Sequence, residues 1–300
     1  MAVDIGMTND FVSVYFRYYI RIRDKVQTAH LKARDWHVIC TTADGGRLKT
    51  LLEFIGMIAS FAARVITSAW RSPYEFEQTW MQVGEIGARS LPLVAASGLA
   101  LGVVMTLHTH STLVTFGAAA MIPKVQSLSF FIEIGPLVAA LLVAGRVGAG
   151  IGAVLANLRA SEQIDAIEVL SVDSFKFLVV PRVVACVLVL PLLTTFMDLT
   201  ALLGGFLAEH ALSHLSAQLF IERAFNGTAW SNFVPPTLKT TVFGFLIGTV
   251  SCYYGYTTDE GAEGVGRAAT NSVVLSSLLV IVADVVLVKI IFLFFPGSAL

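Results

Sequence analysis

Charge is scarce in this sequence of 300 residues: only 14% are Asp, Glu, Lys or Arg, while 56% are hydrophobic. A water-soluble domain carries about a quarter charged residues. The shortage excludes an ordinary soluble globule and makes lipid the solvent for much of the chain. The net charge of -1 lacks the basic footprint of a nucleic-acid binder. The three cysteines, Cys40, Cys186 and Cys252, are far apart. They form neither a disulfide framework nor a CxxC metal knuckle. No G-x-x-x-x-G-K-[ST], G-x-S-x-G or H-E-x-x-H string occurs, so a phosphate loop, a nucleophile elbow and a zinc helix are not expected. The GAGIG string at 148–152 lacks the spacing and the preceding strand of a dinucleotide fingerprint. No catalytic residue, metal or cofactor is expected in this chain. The first ten residues hold two aspartates and no apolar core, unlike a cleaved signal peptide.

What the sequence does have is a series of apolar runs. A bilayer core takes about 20 apolar helical residues to cross. Such runs predict crossings at 91–107, 134–158, 183–208, 240–256 and 268–296. The second contains Arg146, the third Asp198, and the fifth Asp284 and Lys289. Residues 51–70 are apolar but carry Glu53 and Arg64, which are costly at mid-membrane. They read as an amphipathic helix in the membrane surface, with Trp70 and Tyr74 at headgroup level; a sixth crossing is the alternative. The expected fold class is all-α transmembrane: an interfacial helix, then five transmembrane helices. The expected domains are an N-terminal extension at 1–49, the interfacial helix and its connector at 50–84, and a membrane domain at 85–300.

Basic residues set orientation. Of the 20 Lys and Arg, 11 lie in residues 1–89. A cytoplasmic N-terminus adds Arg159, Lys176, Arg182 and Arg267 to the inner side. It leaves Lys124, Arg223 and Lys239 in outer loops, and Arg146 and Lys289 within crossings.

Several patterns carry candidate chemistry. Ala144, Gly148 and Gly152 recur every four residues, as do Gly145, Ala149 and Ala153. Small residues at that spacing let helices approach closely, either within one subunit or at a homodimer seam. Arg146 needs a partner inside the membrane: Asp198 or Asp284 in a structural pair, or a lipid phosphate. Leu99, Val103 and Leu107 share a helix face, which either meets lipid or walls a cavity. In ASEQIDAIEVL (160–170), Glu162, Asp165 and Glu168 form an acidic stripe and Ile164, Ile167 and Leu170 an apolar one. This stretch is either an interfacial linker or a coupling helix gripped by a soluble motor, through Glu162, Gln163, Asp165, Ala166 and Glu168. Gly261, Gly264 and Gly266 suggest a flexible turn before the last crossing. His210 and His214 share a face without an evident third metal ligand. His108 and His110 read as polar caps where the first crossing meets water.

Taken together, EIGPLVAALLVAGRVGAGIGA, LRASEQIDAIEVL, FLVVPR, PLLTTFMDLTALLGG and CYYGYTTDEGAEGVGRAATNSVV resemble the MlaE/YrbE permeases, the membrane subunits of Mce-type ABC lipid transporters. The resemblance covers residues 85–295 in order. It implies a homodimer in the bacterial inner membrane, with phospholipid held between protomers. It also implies a cytoplasmic ABC ATPase docked on the helix at 160–170, which supplies the ATP-driven step, so this chain needs no cofactor. A periplasmic Mce-domain protein and a STAS-domain protein are the other implied partners; nucleic acid is not. The sequence departs from the family at Val154, where a glutamate is usual, and at His108, where glutamine is frequent. The competing expectations are a stand-alone ion-coupled transporter working through Asp198 or Asp284, and a non-transporting membrane anchor for an Mce protein.

Overall fold

A computed structural model describes residues 46–71, 75–226, 230–258 and 261–294. Cys40, Tyr74, Pro296 and most of the N-terminal extension lie outside the described residues. The chain divides into two units, Met1–Met57 and Ile58–Leu300. The described part of the first unit is the opening of helix α1 (Gly46–Ala69). The second holds the rest of α1 and the membrane bundle.

All regular elements among the described residues are helical. Five helical stretches are long and apolar enough to cross a bilayer: Leu52–Ala69, Phe76–Thr115, Ala119–Ala160, Phe175–Ser213 and Ala262–Phe294. The first of these lies within α1, whose charges and amphipathic pattern suit the membrane surface. The remaining crossing, α9 (Val234–Tyr256), is less apolar. Its position explains why: α9 packs against α7 (Val180–Ser213), α10 (Ala262–Phe294) and α5 (Ala149–Ala160). A helix walled by protein on several sides needs fewer lipid-compatible side chains.

Every crossing is longer than its apolar run. Helix α2 (Phe76–Thr115) has 40 residues. At 1.5 Å per residue it is about 60 Å long, twice the hydrocarbon core of about 30 Å. His108 and His110 therefore lie inside α2 and do not cap it. Similarly, Gly264 and Gly266 lie within α10 and not in a flexible turn, because the helix begins at Ala262.

The second crossing is a chain of segments: α3 (Ile122–Ser129), a π turn at Phe130–Ile134, α4 (Gly135–Val143), a second π turn at Ala144–Gly148, and α5. A third π turn, Phe175–Val179, leads into α7. Each π turn adds a residue to the helix and shifts the faces beyond it. The bundle's most extensive seam joins α2 to α7. There, a Cβ at Gly102 would fall inside the Ala201 carbonyl, and one at Gly204 inside the Leu99 carbonyl. Only glycine permits this backbone contact, the packing that drives association in lipid. A short helix, α8 (Ala217–Phe225), packs on α3.

Candidate functional site

One end of the bundle gathers the short helix α6 (Gln163–Val169), the π turn at Phe175–Val179, the end of α9 and the second half of α1. Two residues with left-handed backbones bracket α6: Glu162 at φ 57° and Ser171 at φ 63°. Such conformations are uncommon outside glycine and break the helix on both sides. Ile164 is fully buried in the core, and Ile167 packs against it. Leu170 does not continue the apolar stripe inward; it is 76% exposed, beside Val169 and Val172, also exposed.

The acidic stripe also divides. Arg159 Nη1 donates to Asp165 Oδ1 at 2.8 Å. Ser174 Oγ donates to Glu168 Oε1 at 2.7 Å, and the Tyr256 hydroxyl donates to the same oxygen at 3.3 Å. Ser174 Oγ and the Tyr256 hydroxyl are 2.8 Å apart. Glu162, Gln163, Asp165, Ala166 and Glu168 all remain exposed. The stripe is thus open to a partner, while two of its carboxylates also brace the helix.

Within the membrane, the charges pair differently from the sequence expectation. Arg146 meets neither Asp198 nor Asp284. Its Nη1 donates to the Ser90 hydroxyl at 3.0 Å, and among the described residues it faces no carboxylate. Asp284 instead pairs with Lys239, whose Nζ lies 2.9 Å from Asp284 Oδ1 and 3.0 Å from Glu133 Oε2. Lys239 is not an outer-loop residue: it lies within α9 with its side chain 1% exposed. The triad of Glu133, Lys239 and Asp284 joins the first π turn, α9 and α10. Both Glu133 and Arg146 occupy π turns, elements that favour functional sites. Asp198 is buried, and neither carboxyl oxygen has a hydrogen-bond partner among the described residues. Its carboxyl fills the space left by the missing side chain of Gly135.

The two small-residue registers face different surroundings. Ala144, Gly148 and Gly152 are buried inside the protomer. A Cβ on Gly148 would meet Ser251 Oγ at 3.0 Å, and one on Gly152 would meet Ser272 Oγ at 2.5 Å. In the other register Gly145 is exposed while Ala149 and Ala153 are half-buried; beside it Arg146, Gly150 and Val154 are exposed, with nothing within 4 Å of a Cβ built on Gly145 or Gly150. Leu99 and Leu107 are exposed on α2, and Val103 is half-buried.

At the opposite end, His110 Nδ1 lies 3.2 Å from the buried Glu209 Oε2, and Ser213 Oγ donates to Glu209 Oε1 at 2.9 Å. His214 terminates α7 with a left-handed backbone, and His210 Nδ1 lies 2.9 Å from the Leu215 carbonyl. Among the described residues no group of three His, Cys, Asp or Glu could hold a metal. Glu133, Ser174 and Tyr256 are polar residues that the sequence reading missed, and it misplaced Lys239. A polar side chain within an apolar run is the signal that could have found Glu133.

Comparisons with known proteins fit this architecture. The family model described as "Permease MlaE" matches residues 79–290. A "Probable ABC transporter permease protein" of Rickettsia bellii is 36% identical over 248 residues, covering 83% of this chain and 96% of the relative. A probable ABC transporter permease of Synechocystis is 31% identical, covering 80% of this chain and 92% of the relative. The chloroplast protein TRIGALACTOSYLDIACYLGLYCEROL 1 of Arabidopsis thaliana is 30% identical, covering 79% of this chain and 67% of the relative. A multi-pass helical bundle, a bracketed short helix between its second and third crossings, and a family match across most of its length lead to one conclusion: the chain belongs to the MlaE family of ABC transporter permeases.

Proposed function

We propose that this chain is the permease subunit of an ATP-driven transporter that moves phospholipid, or a related lipid, between the inner membrane and a periplasmic Mce-domain protein. The N-terminus and α6 are cytoplasmic, and two copies enclose the lipid. The ATPase grips α6 through Glu162, Gln163, Asp165, Ala166 and Glu168, and a STAS-domain protein binds the ATPase. The observation that carries this reading is α6 itself: a short helix anchored by Ile164, cut off on both sides by left-handed residues, with its acidic side chains exposed.

Lipid as cargo draws on two further points. A relative carries the name of a galactosylated diacylglycerol. Arg146 also stands on the open face of the second crossing with only a neutral hydroxyl beside it among the described residues. A cation at membrane depth seeks an anion, and a lipid phosphate on this face supplies one. Leu99, Val103 and Leu107 then line the acyl side of the cavity.

Charge reversal tests the handle. Glu162→Lys with Asp165→Lys is expected to abolish copurification of the ATPase while the permease still elutes as a folded species. An intact complex from that variant would refute the docking assignment. Asp198, buried and without a hydrogen-bond partner among the described residues, favours a second reading, ion-coupled transport without ATP. Lipid movement by the purified permease alone under a proton gradient would establish it.

A further inference from the structure

We propose that Glu168, Ser174 and Tyr256 form a side-chain relay that carries movement of α6 into α9. The relay rests on the reading of α6 as the ATPase handle and adds how the handle reaches the bundle.

The backbone is a poor transmitter here. The last turn of α5 ends at Ala160, and the left-handed Glu162 interrupts the ladder before α6 begins. Past α6, the left-handed Ser171 breaks the ladder again, and helix resumes only after Asp173 accepts from the Phe175 and Lys176 amides. A helix joined to its neighbours through two such corners can pivot without pulling them. Burial of Ile164 holds α6 in place, but apolar contact is non-directional and permits rotation.

The hydrogen bonds are directional. One oxygen of Glu168 accepts from both Ser174 and Tyr256, and the two hydroxyls are themselves within hydrogen-bond distance. Two hydroxyl protons serve these three contacts, and two bonds reaching one carboxylate from different elements fix an angle that a single bond leaves free. Charge-assisted bonds are also stronger than neutral ones. Each corner belongs to a different element: Glu168 to α6, Ser174 to the start of the third crossing, and Tyr256 to the last position of α9.

The connections continue inward. The Tyr256 ring stands edge-on to Phe175 at 5.9 Å, and Phe175 to Phe61 of α1 at 5.1 Å. The Arg64 guanidinium lies 4.2 Å over the Phe175 ring. α9 itself touches α5, α7 and α10. The Arg159–Asp165 bond ties α6 to α5 at 2.8 Å, but of the two ties the cluster at Glu168 is the one that meets α9 directly and, through Phe175, α1. Tyr256 and Ser174 act as positioning residues; neither needs to touch the ATPase.

The test uses the full complex of permease and ATPase in vesicles of phosphatidylethanolamine and phosphatidylglycerol. Tyr256→Phe removes one hydroxyl and keeps the ring contact with Phe175. The expected result is a complex of normal composition with unchanged basal ATP hydrolysis, and about a tenfold loss in lipid moved per ATP, the scale of one charge-assisted hydrogen bond. Ser174→Ala is expected to give a similar loss. The double variant should be no worse than either single one, because the triangle fails as a unit. Normal lipid movement per ATP in Tyr256→Phe would overturn the relay, and so would loss of the ATPase from that variant, which would make the group part of the docking surface. Failure of the underlying reading looks different: the wild-type permease would then bind no ATPase at all.

Discussion

Removing the cation of the Glu133–Lys239–Asp284 triad should cost far more than removing the whole pair. Lys239 is 1% exposed at its side chain and Asp284 5%, so water screens neither. Glu133 is 41% exposed and keeps part of its solvation. Lys239→Met preserves much of the stem volume but leaves the Asp284 carboxylate buried without its cation. Breaking a buried ion pair from one side destabilises by about 3–5 kcal/mol. For a chain of this size that lowers the melting temperature by on the order of 10 °C. Lys239→Met combined with Asp284→Asn removes both charges, and replacing a buried pair by neutral groups is often close to neutral. The double variant should therefore recover most of the loss, ending within about 1 kcal/mol of the parent chain. Glu133→Gln should cost no more than about 1 kcal/mol, because an exposed partner contributes little. The assay is a thermal melt of all four proteins in nanodiscs, read by intrinsic fluorescence. Equal destabilisation of Lys239→Met and of the double variant would refute the reasoning, since packing and not charge would then hold the site.

The α2–α7 seam gives a sharper steric test. Gly102→Val should reduce the folded monodisperse fraction severely, since overpacking costs about 1–3 kcal/mol or more where backbone cannot move. Gly150→Ala, on an open face, should be neutral or stabilising by up to about 1 kcal/mol; size-exclusion profiles compare the two, and an unharmed Gly102→Val would dismiss the close approach. Arg146→Gln should lower the phospholipid retained per purified permease, measured by mass spectrometry, without changing the melting temperature by more than about 2 °C. Retention at the parent level would remove Arg146 from the lipid site.

The sequence made the crossings legible because apolar runs report what lipid touches. It understated their lengths for the same reason. Helix α2 continues past the apolar stretch at both ends, where Glu77, Glu85, Arg89 and His110 suit water or protein and leave no hydropathy signal. The acidic and apolar stripes of 160–170 marked α6 as a distinct element, but periodicity could not show that Glu162 and Ser171 would turn left-handed and shorten it. Arg146 was visible as a charge within a crossing, yet its partner, the Ser90 hydroxyl, was not. Asp198 and Asp284 looked available only because Lys239, three residues after Pro236, reads as the edge of a loop. The π turns were hidden as well: a single extra residue in an apolar helix changes which side chains share a face and leaves the composition untouched. His108 and His110 went astray because polarity near the end of an apolar run imitates a terminus.

The modest apolarity of α9 bears on how the protein is made. A segment holding Lys239, Pro235, Pro236 and three tyrosines near its end gains little by partitioning into bilayer unaided, and a lysine at depth opposes it. Two carboxylates accommodate that lysine: the half-exposed Glu133 is already in place on the second crossing, but the more buried Asp284 sits on α10, which the ribosome delivers later. The lysine's ion-pair site is therefore only half built until α10 arrives with Asp284, and Glu133 and α7 hold α9 in the meantime. Biogenesis of the central helix is then completed by a helix made after it, and a chain cut short before Asp284 would expose an unfinished bundle to membrane proteases.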